Sequence, residues 1–172
     1  VGINLHKWIG APVGVGAIYV RKGRVADLDP YMGETDDGRV GSRVHTGTVN
    51  FAAYLALPEA IALHQRVGVA NKQARLRYLR ERWTLPARQM AHIEVLSSPN
   101  PGLASALASF RLRGRTGVAD NLALQKRLLD EHRVFTTHRD GLDSGACVRV
   151  TPSVFTRPEQ MDALVKALSA LA

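Results

Sequence analysis

A lysine attacks a carbonyl carbon only as the neutral amine, and in water, with a pKa near ~10.4, it is almost always charged. Burial or a neighbouring cation frees the amine to form a Schiff base. Lys7 stands between His6 and Trp8 in the stretch Asn4-Leu5-His6-Lys7-Trp8. Two flanking rings are one way to keep water from it; a solvated surface charge is the plain alternative. A second choice of the same kind concerns Arg149, within ACVRVTPSVFT at residues 146–156. Strand alternation puts Val148 and Val150 on one face and Cys147, Arg149 and Thr151 on the other. Arg149 then meets solvent or grips an anion, and its planar fork fits a carboxylate through two parallel hydrogen bonds. Thr48, in Thr46-Gly47-Thr48 ahead of a helix, is either an N-cap or part of an anion site made of free N–H groups and the helix dipole.

The elements that must position these residues can be read from their periods. VGAIYVR, residues 15–21, predicts a strand after a glycine-rich approach. Gly14 and Gly16 precede that strand, whereas a dinucleotide-binding fingerprint follows a strand and opens a helix. Residues 25–47 lack a period and are rich in Gly and Asp; a loop this long has a task or lies at an interface. A helix follows to about Val67, with Ala52, Leu55, Leu57, Ala60, Ile61 and Leu63 on its apolar side. Gly68 closes it and marks a domain hinge. Beyond it the pattern predicts a basic helix over 70–83 that Pro86 interrupts or ends. Strands are predicted at 92–96, 107–112, 134–137 and 146–151, with helices over 118–132 and 158–171. Pro158 stands in a first turn, where proline is tolerated. This order suits an α+β domain with its helices over one face of a sheet.

The bulk composition removes other classes. With 172 residues, 45% of them hydrophobic and 22% charged, the chain can bury a core. No apolar stretch approaches the ~18 residues of a membrane span. The opening residues, with His6 and Lys7, do not describe a signal peptide, so a cytoplasmic location is expected. The lone Cys147 forms no intrachain disulfide. A net charge of +8 invites a nucleic-acid reading. The arginines are dispersed, however, and the ten aromatic residues do not alternate with them as stacking platforms. The charge reads as solvated faces that help attract an anionic cofactor or substrate.

The run NLHKWIGAPVGVGAIYVR, residues 4–21, with Pro12, Gly14, Gly16 and Tyr19-Val20-Arg21, resembles the Schiff-base lysine region of the class V aminotransferases. These pyridoxal 5'-phosphate (PLP) enzymes include isopenicillin N epimerase-like proteins and cysteine desulfurases. SRVHTGTVNFAAYLALPEAIALHQRVG, residues 42–68, is similar to the segment in which a Gly-Thr pair begins a helix beside the dimer interface. ACVRVTPSVFT resembles the motif whose arginine binds the substrate α-carboxylate, with Val154-Phe155-Thr156 where the family often has Tyr-Asn-Thr.

The resemblance implies an α/β protein, the C-terminal part of a fold type I PLP-dependent transferase. Residues 1–68 would belong to the large PLP-binding domain and 69–172 to a small α+β domain. It implies that Lys7 is catalytic and holds PLP, that His6 adjoins the cofactor, and that Thr48 contacts the PLP phosphate of a neighbouring subunit. Arg149 would bind the substrate carboxylate, with Arg43 a second candidate; His45, in the same segment as Arg43, could also reach the site. An amino-acid substrate, a homodimer with sites at the interface, and transamination or epimerisation follow from it. Desulfurase or lyase chemistry ranks lower, because Cys147 lies on a strand two residues before Arg149, the wrong place for a reaching nucleophile. In such enzymes the aspartate that pairs with the pyridine nitrogen, the ring-stacking residue and the main phosphate turn precede the lysine. The chain alone is therefore expected to be inactive, and a non-catalytic domain serving dimerisation or binding is the alternative.

Overall fold

A glycine at position 16 is what allows the first two strands to meet. A Cβ there would lie 3.1 Å from the carbonyl oxygen of Ile3. The computed structural model describes residues 1–44 and 47–171, which group into two units, Val1–Gly68 and Val69–Ala172. In the first unit β1 (Gly2–Asn4) pairs antiparallel with β2 (Gly16–Ile18), Asn4 opposite Gly16. β2 is shorter than the strand expected over 15–21, and both strands are exposed. Residues 19–44 are irregular apart from two short 3-10 turns, Val25–Asp27 and Gly41–Arg43.

The single helix expected before Gly68 is broken in two, α1 (Phe51–Leu55) and α2 (Leu57–Val67), with Ala56 between them. Pro58 causes the break. It has no N–H to donate back to a continuing helix, and it sits in the first turn of α2, where no donor is needed. Gly68 ends α2 at φ 84°, its N–H bonded to the carbonyl of His64, a conformation costly for any residue with a Cβ. Ala11, Val15 and Ala53 form a small core with Leu5, Leu57 and Ala60 against it. Leu55, expected on the apolar side, is exposed.

The second unit contains α3 (Val69–Ala87), β3 (Ile93–Val95), β4 (Ala108–Leu112), α4 (Val118–His132), β5 (Thr137–Arg139), β6 (Cys147–Val150) and α5 (Pro158–Ser169). Its sheet runs β3-β4-β6-β5, every pair antiparallel. α3 carries Pro86 inside its last turn and ends one residue later. β5 starts three residues later than the expected strand over 134–137. Arg133 ends α4 in the left-handed region at φ 58°, and the N–H of Val134 returns to the carbonyl of Leu128. The helix cap therefore uses the backbone that the sequence pattern assigned to a strand.

One face of this sheet meets all three helices. Ile93, Ala108, Phe110, Val148 and Val150 pack there with Leu79 and Trp83 of α3, Leu124 and Leu128 of α4, and Leu164 and Leu168 of α5. Trp83 and Phe110 meet edge to face, centroids 5.7 Å apart. The two-period alternation then assigns Glu94, Ser109, Arg111, Cys147, Arg149, Thr137 and Arg139 to the other face. Among the described residues no helix is long and apolar enough to cross a membrane.

Candidate active site

Lys7 lies in the turn that follows β1. The backbone beneath it is fixed: Leu5 N–H donates to the Val15 carbonyl at 3.1 Å, and Ala11 N–H to the Leu5 carbonyl at 3.1 Å. His6 Nδ1 lies 3.1 Å from that same Val15 oxygen, so with Nδ1 protonated the ring donates to it. Lys7 itself is exposed, and its ammonium has no hydrogen-bond or ion-pair partner among the described residues. Trp8 is 43% exposed. Within this unit the flanking rings therefore do not bury the amine. Leu5 and Ala53 share the small core, which ties the lysine turn to the helix that follows Gly47 and Thr48.

Thr48 is not the cap of that helix. Asn50 is: its side-chain oxygen accepts from the N–H of Ala53 at 3.3 Å. Asparagine caps at least as well as threonine, and the cap falls two residues later than the sequence suggested. α1 has only five residues, too short for the dipole argument to carry an anion site. What remains is the exposed Thr48 hydroxyl after Gly47, whose φ is 54°. Thr46 and His45 lie outside the described residues.

Arg43 is largely occupied. Its side chain is 3% exposed, pairs with Asp36 through Nη1, and reaches the Ser42 hydroxyl at 2.6 Å. That hydrogen bond, supported by the Gly38 N–H, holds the Asp36 carboxyl below the usual aspartate range. The Arg43 Nε stays buried without a partner among the described residues.

In the second unit several arginines pair with carbonyls or carboxylates, some of them, such as Arg82 and Arg113, on exposed faces. Arg75 donates to the Thr156 carbonyl at 2.9 Å, Arg80 to Ser98 at 2.7 Å, and Arg113 to Ala91 at 2.8 Å. Arg82 holds both carboxylate oxygens of Asp162 at 2.7 Å. Arg111, 4% exposed, spans Glu94 at 2.8 and 3.4 Å and reaches the Ser144 carbonyl at 2.6 Å. Arg149 differs from all of these. Its Nε is buried, and the guanidinium makes no hydrogen bond or ion pair among the described residues. Arg80 also leaves Nε unpaired, but it spends another nitrogen on Ser98. A buried donor without a partner costs about 1–3 kcal/mol, so an incoming anion at Arg149 would relieve a penalty the fold already carries.

The Arg111 hydrogen bond holds Glu94 below the ordinary glutamate range, against the opposing effect of burial, with the charges of Arg111 and Arg113 adding to it. A depressed carboxylate contributes stability that is complete above its unfolded pKa, ~4.3, and lost as pH falls through its lower folded value. Glu94→Gln should therefore flatten the acid limb of the stability curve below about pH 4. Thermal melts across that range check this, and an acid limb identical to that of the parent would remove Glu94 from it.

Residues 3–146 match the family model described as Aminotransferase class-V. The chain belongs to the class V aminotransferase family. It is 27% identical over 184 aligned residues to isopenicillin N epimerase of Streptomyces clavuligerus, covering 96% of this chain and 45% of that protein. Among solved structures it is similar to a C-DES lysine variant with glycine covalently linked to its PLP cofactor, at a TM-score of 0.70 and 23% identity. That match covers 96% of this chain and 44% of the other. It is also similar to the apo cysteine desulfurase from Thermococcus onnurineus NA1, at a TM-score of 0.72 and 18% identity over 99% of this chain and 46% of that one. The chain thus spans about half the length of the relatives it matches. The fold is part of the fold type I PLP-dependent architecture, with a mixed helix-and-sheet second unit.

PLP is the cofactor of class V aminotransferases, and the residues present fit it. An aldehyde needs a reachable amine, and Lys7 is reachable and has no partner among the described residues, although nothing in this unit buries it. A phosphate needs donors, and the Thr48 hydroxyl has no partner among the described residues. Lys7, His6, Thr48 and Arg43 belong to the first unit and Arg149 to the second. Sequence reasoning missed Asn50, the Asp36 partner of Arg43, and the neighbours of Arg149 on its sheet face. Asn50 was legible as a better cap than Thr48. The sheet neighbours were not, since they follow from strand order.

Proposed function

We propose that this chain forms part of a PLP-dependent enzyme acting on the α-carbon or amino group of an amino acid, by transamination or epimerisation. PLP supplies an electron sink for the carbanion at the substrate α-carbon. Lys7 would hold the cofactor through its amine and, once released, would take the α-proton as general base. Inversion at Cα would also need a proton donor on the face opposite Lys7. Thr48 donates to the phosphate, His6 stays fixed beside the lysine turn by Val15, and Arg149 orients the α-carboxylate. A homodimer with shared sites belongs to the same reading. The observation that carries it is that the lysine turn lies within residues 3–146, which match the family. The test is borohydride reduction of the PLP-loaded protein followed by peptide mapping. The pyridoxyl group is expected on Lys7, and its recovery on another lysine would overturn the assignment.

The capping and phosphate roles separate in two variants. Asn50→Ala should lower stability by about 0.5–2 kcal/mol, the usual loss of a cap. Thr48→Ala should leave the melting temperature unchanged and weaken PLP binding by about 1–2 kcal/mol, on the scale of a hydrogen bond to a charged group. Unaltered PLP affinity in Thr48→Ala would remove that residue from the cofactor site.

A further inference from the structure

The sheet face that carries Arg149 holds a second arginine without an anionic partner among the described residues. Thr137 on β5 lies opposite Arg149 on β6, and Arg139 lies opposite Cys147. Arg139 and Arg149 are thus diagonal neighbours on one face, where Cβ atoms stand roughly 7–8 Å apart. On the other side of β6, Ser109 of β4 faces Arg149. Short hydroxyl side chains therefore flank the guanidinium in both directions. The acid on this face, Glu94, is held by Arg111. Arg139 is exposed, and its Nη1 donates to the carbonyl of the adjacent His138 at 2.8 Å. The strands of this face thus carry Arg111, Arg139 and Arg149 against Glu94. Like charges at this spacing repel, and a sheet gains nothing from placing them together unless an anion joins them.

We infer that the amino acid bound here carries a second carboxylate on its side chain, read by Arg139 while Arg149 holds the α-carboxylate. The inference rests on the proposed role of Arg149 and adds the class of side chain. The exposed guanidinium of Arg139 keeps donors beyond the Nη1 that meets His138, so it can read a carboxylate at the open end, whereas Arg149, half-buried between Ser109 and Thr137, fixes the common end.

Glutamate and glutamine have the same shape and differ in that charge. Equilibrium titration of the complete PLP-loaded protein, followed by the visible absorbance of the cofactor, should show glutamate binding roughly fivefold tighter, the scale of an exposed ion pair. Calorimetry on the cofactor-free protein gives the same comparison without chemistry. Arg139→Gln should abolish the preference while glutamine affinity and the melting temperature stay unchanged. Arg149→Gln should weaken both ligands together. Equal affinities in the parent protein, or a preference that survives Arg139→Gln, would overturn the inference and leave the role of Arg149 standing. No binding of either ligand by the parent would likewise overturn the inference, whereas unchanged affinity for both ligands in Arg149→Gln would overturn the proposed role of Arg149 beneath it.

Discussion

Replacing Lys7 with alanine should abolish borohydride-stable attachment of PLP and leave the fold as it is. The two halves of that expectation come from one observation. The Lys7 side chain is exposed and unpartnered among the described residues, so its removal deletes no packing and no ion pair. Surface changes of that kind fall within about ±0.5 kcal/mol in stability. The hairpin beneath it is held by backbone bonds at Leu5 and Ala11 and by the core of Ala11, Val15 and Ala53, none of which involves the lysine side chain. Covalent capture of an aldehyde, by contrast, requires the amine itself. Proton transfer by a positioned side chain contributes typically ~10²–10⁴-fold in rate, so turnover should fall at least that far. Lys7→Arg sharpens the result, because the guanidinium keeps the charge but stays protonated with a pKa above ~12. It should be as inert as alanine. Persistent trapping of PLP in either variant, with the pyridoxyl group on Lys22, Lys72, Lys126 or Lys166, would show that the lysine turn is a surface feature.

How much of this was legible in the sequence depends on whether the cause was local. The helices over 118–132 and from Pro158 onward follow from apolar spacing within one element, as do the strands at 107–112 and 146–151. The alternation of Val148 and Val150 against Arg149 needed no partner strand either. Errors appear where two local signals compete. Pro58 broke a helix that hydrophobic spacing read as continuous. Arg133, taking the left-handed position where glycine is usual, extended the α4 cap into a segment of strand-like composition. Asn50 took the cap from Thr48. The charge pattern was legible in part: Arg113, Lys126 and Arg127 are on solvated faces, whereas Arg80 and Arg111 are buried. A list of arginines does not say which carbonyl each will meet, and Arg80, Arg111 and Arg113 find theirs across 18 to 33 residues of chain. The adjacency of Arg139 and Arg149 requires the order β4-β6-β5 and its register, which no single stretch of sequence contains. The candidates Lys7 and Arg149 come from motifs, whereas the place of Arg139 beside Arg149 comes from the sheet.

Arg149→Lys should weaken binding of the amino acid by about 1.5–3 kcal/mol, the scale of a hydrogen bond to a charged group, without changing PLP occupancy. The substitution keeps the charge, so a role limited to electrostatic attraction would survive it. It removes the planar fork and the Nε donor, which is the buried nitrogen that has no partner among the described residues. A bidentate carboxylate grip therefore predicts loss, whereas a solvated strand arginine predicts none. The fold should tolerate the change, since the apolar face of β6 is made by Val148 and Val150 and the Arg149 guanidinium anchors no carbonyl among the described residues. That distinguishes it from Arg111, whose loss would free both Glu94 and the Ser144 loop. Titrating the complete protein with an amino acid and with its carboxamide supplies the second comparison. The parent should discriminate strongly between them, because the neutral amide cannot accept the charge-assisted pair, and the variant should not. Equal discrimination in both proteins would place the carboxylate elsewhere. Arg43 would then be the next residue to replace, since its Nε is also buried without a partner among the described residues. Asp36→Asn, which loosens the grip on that arginine, would reveal whether it is free to take the role.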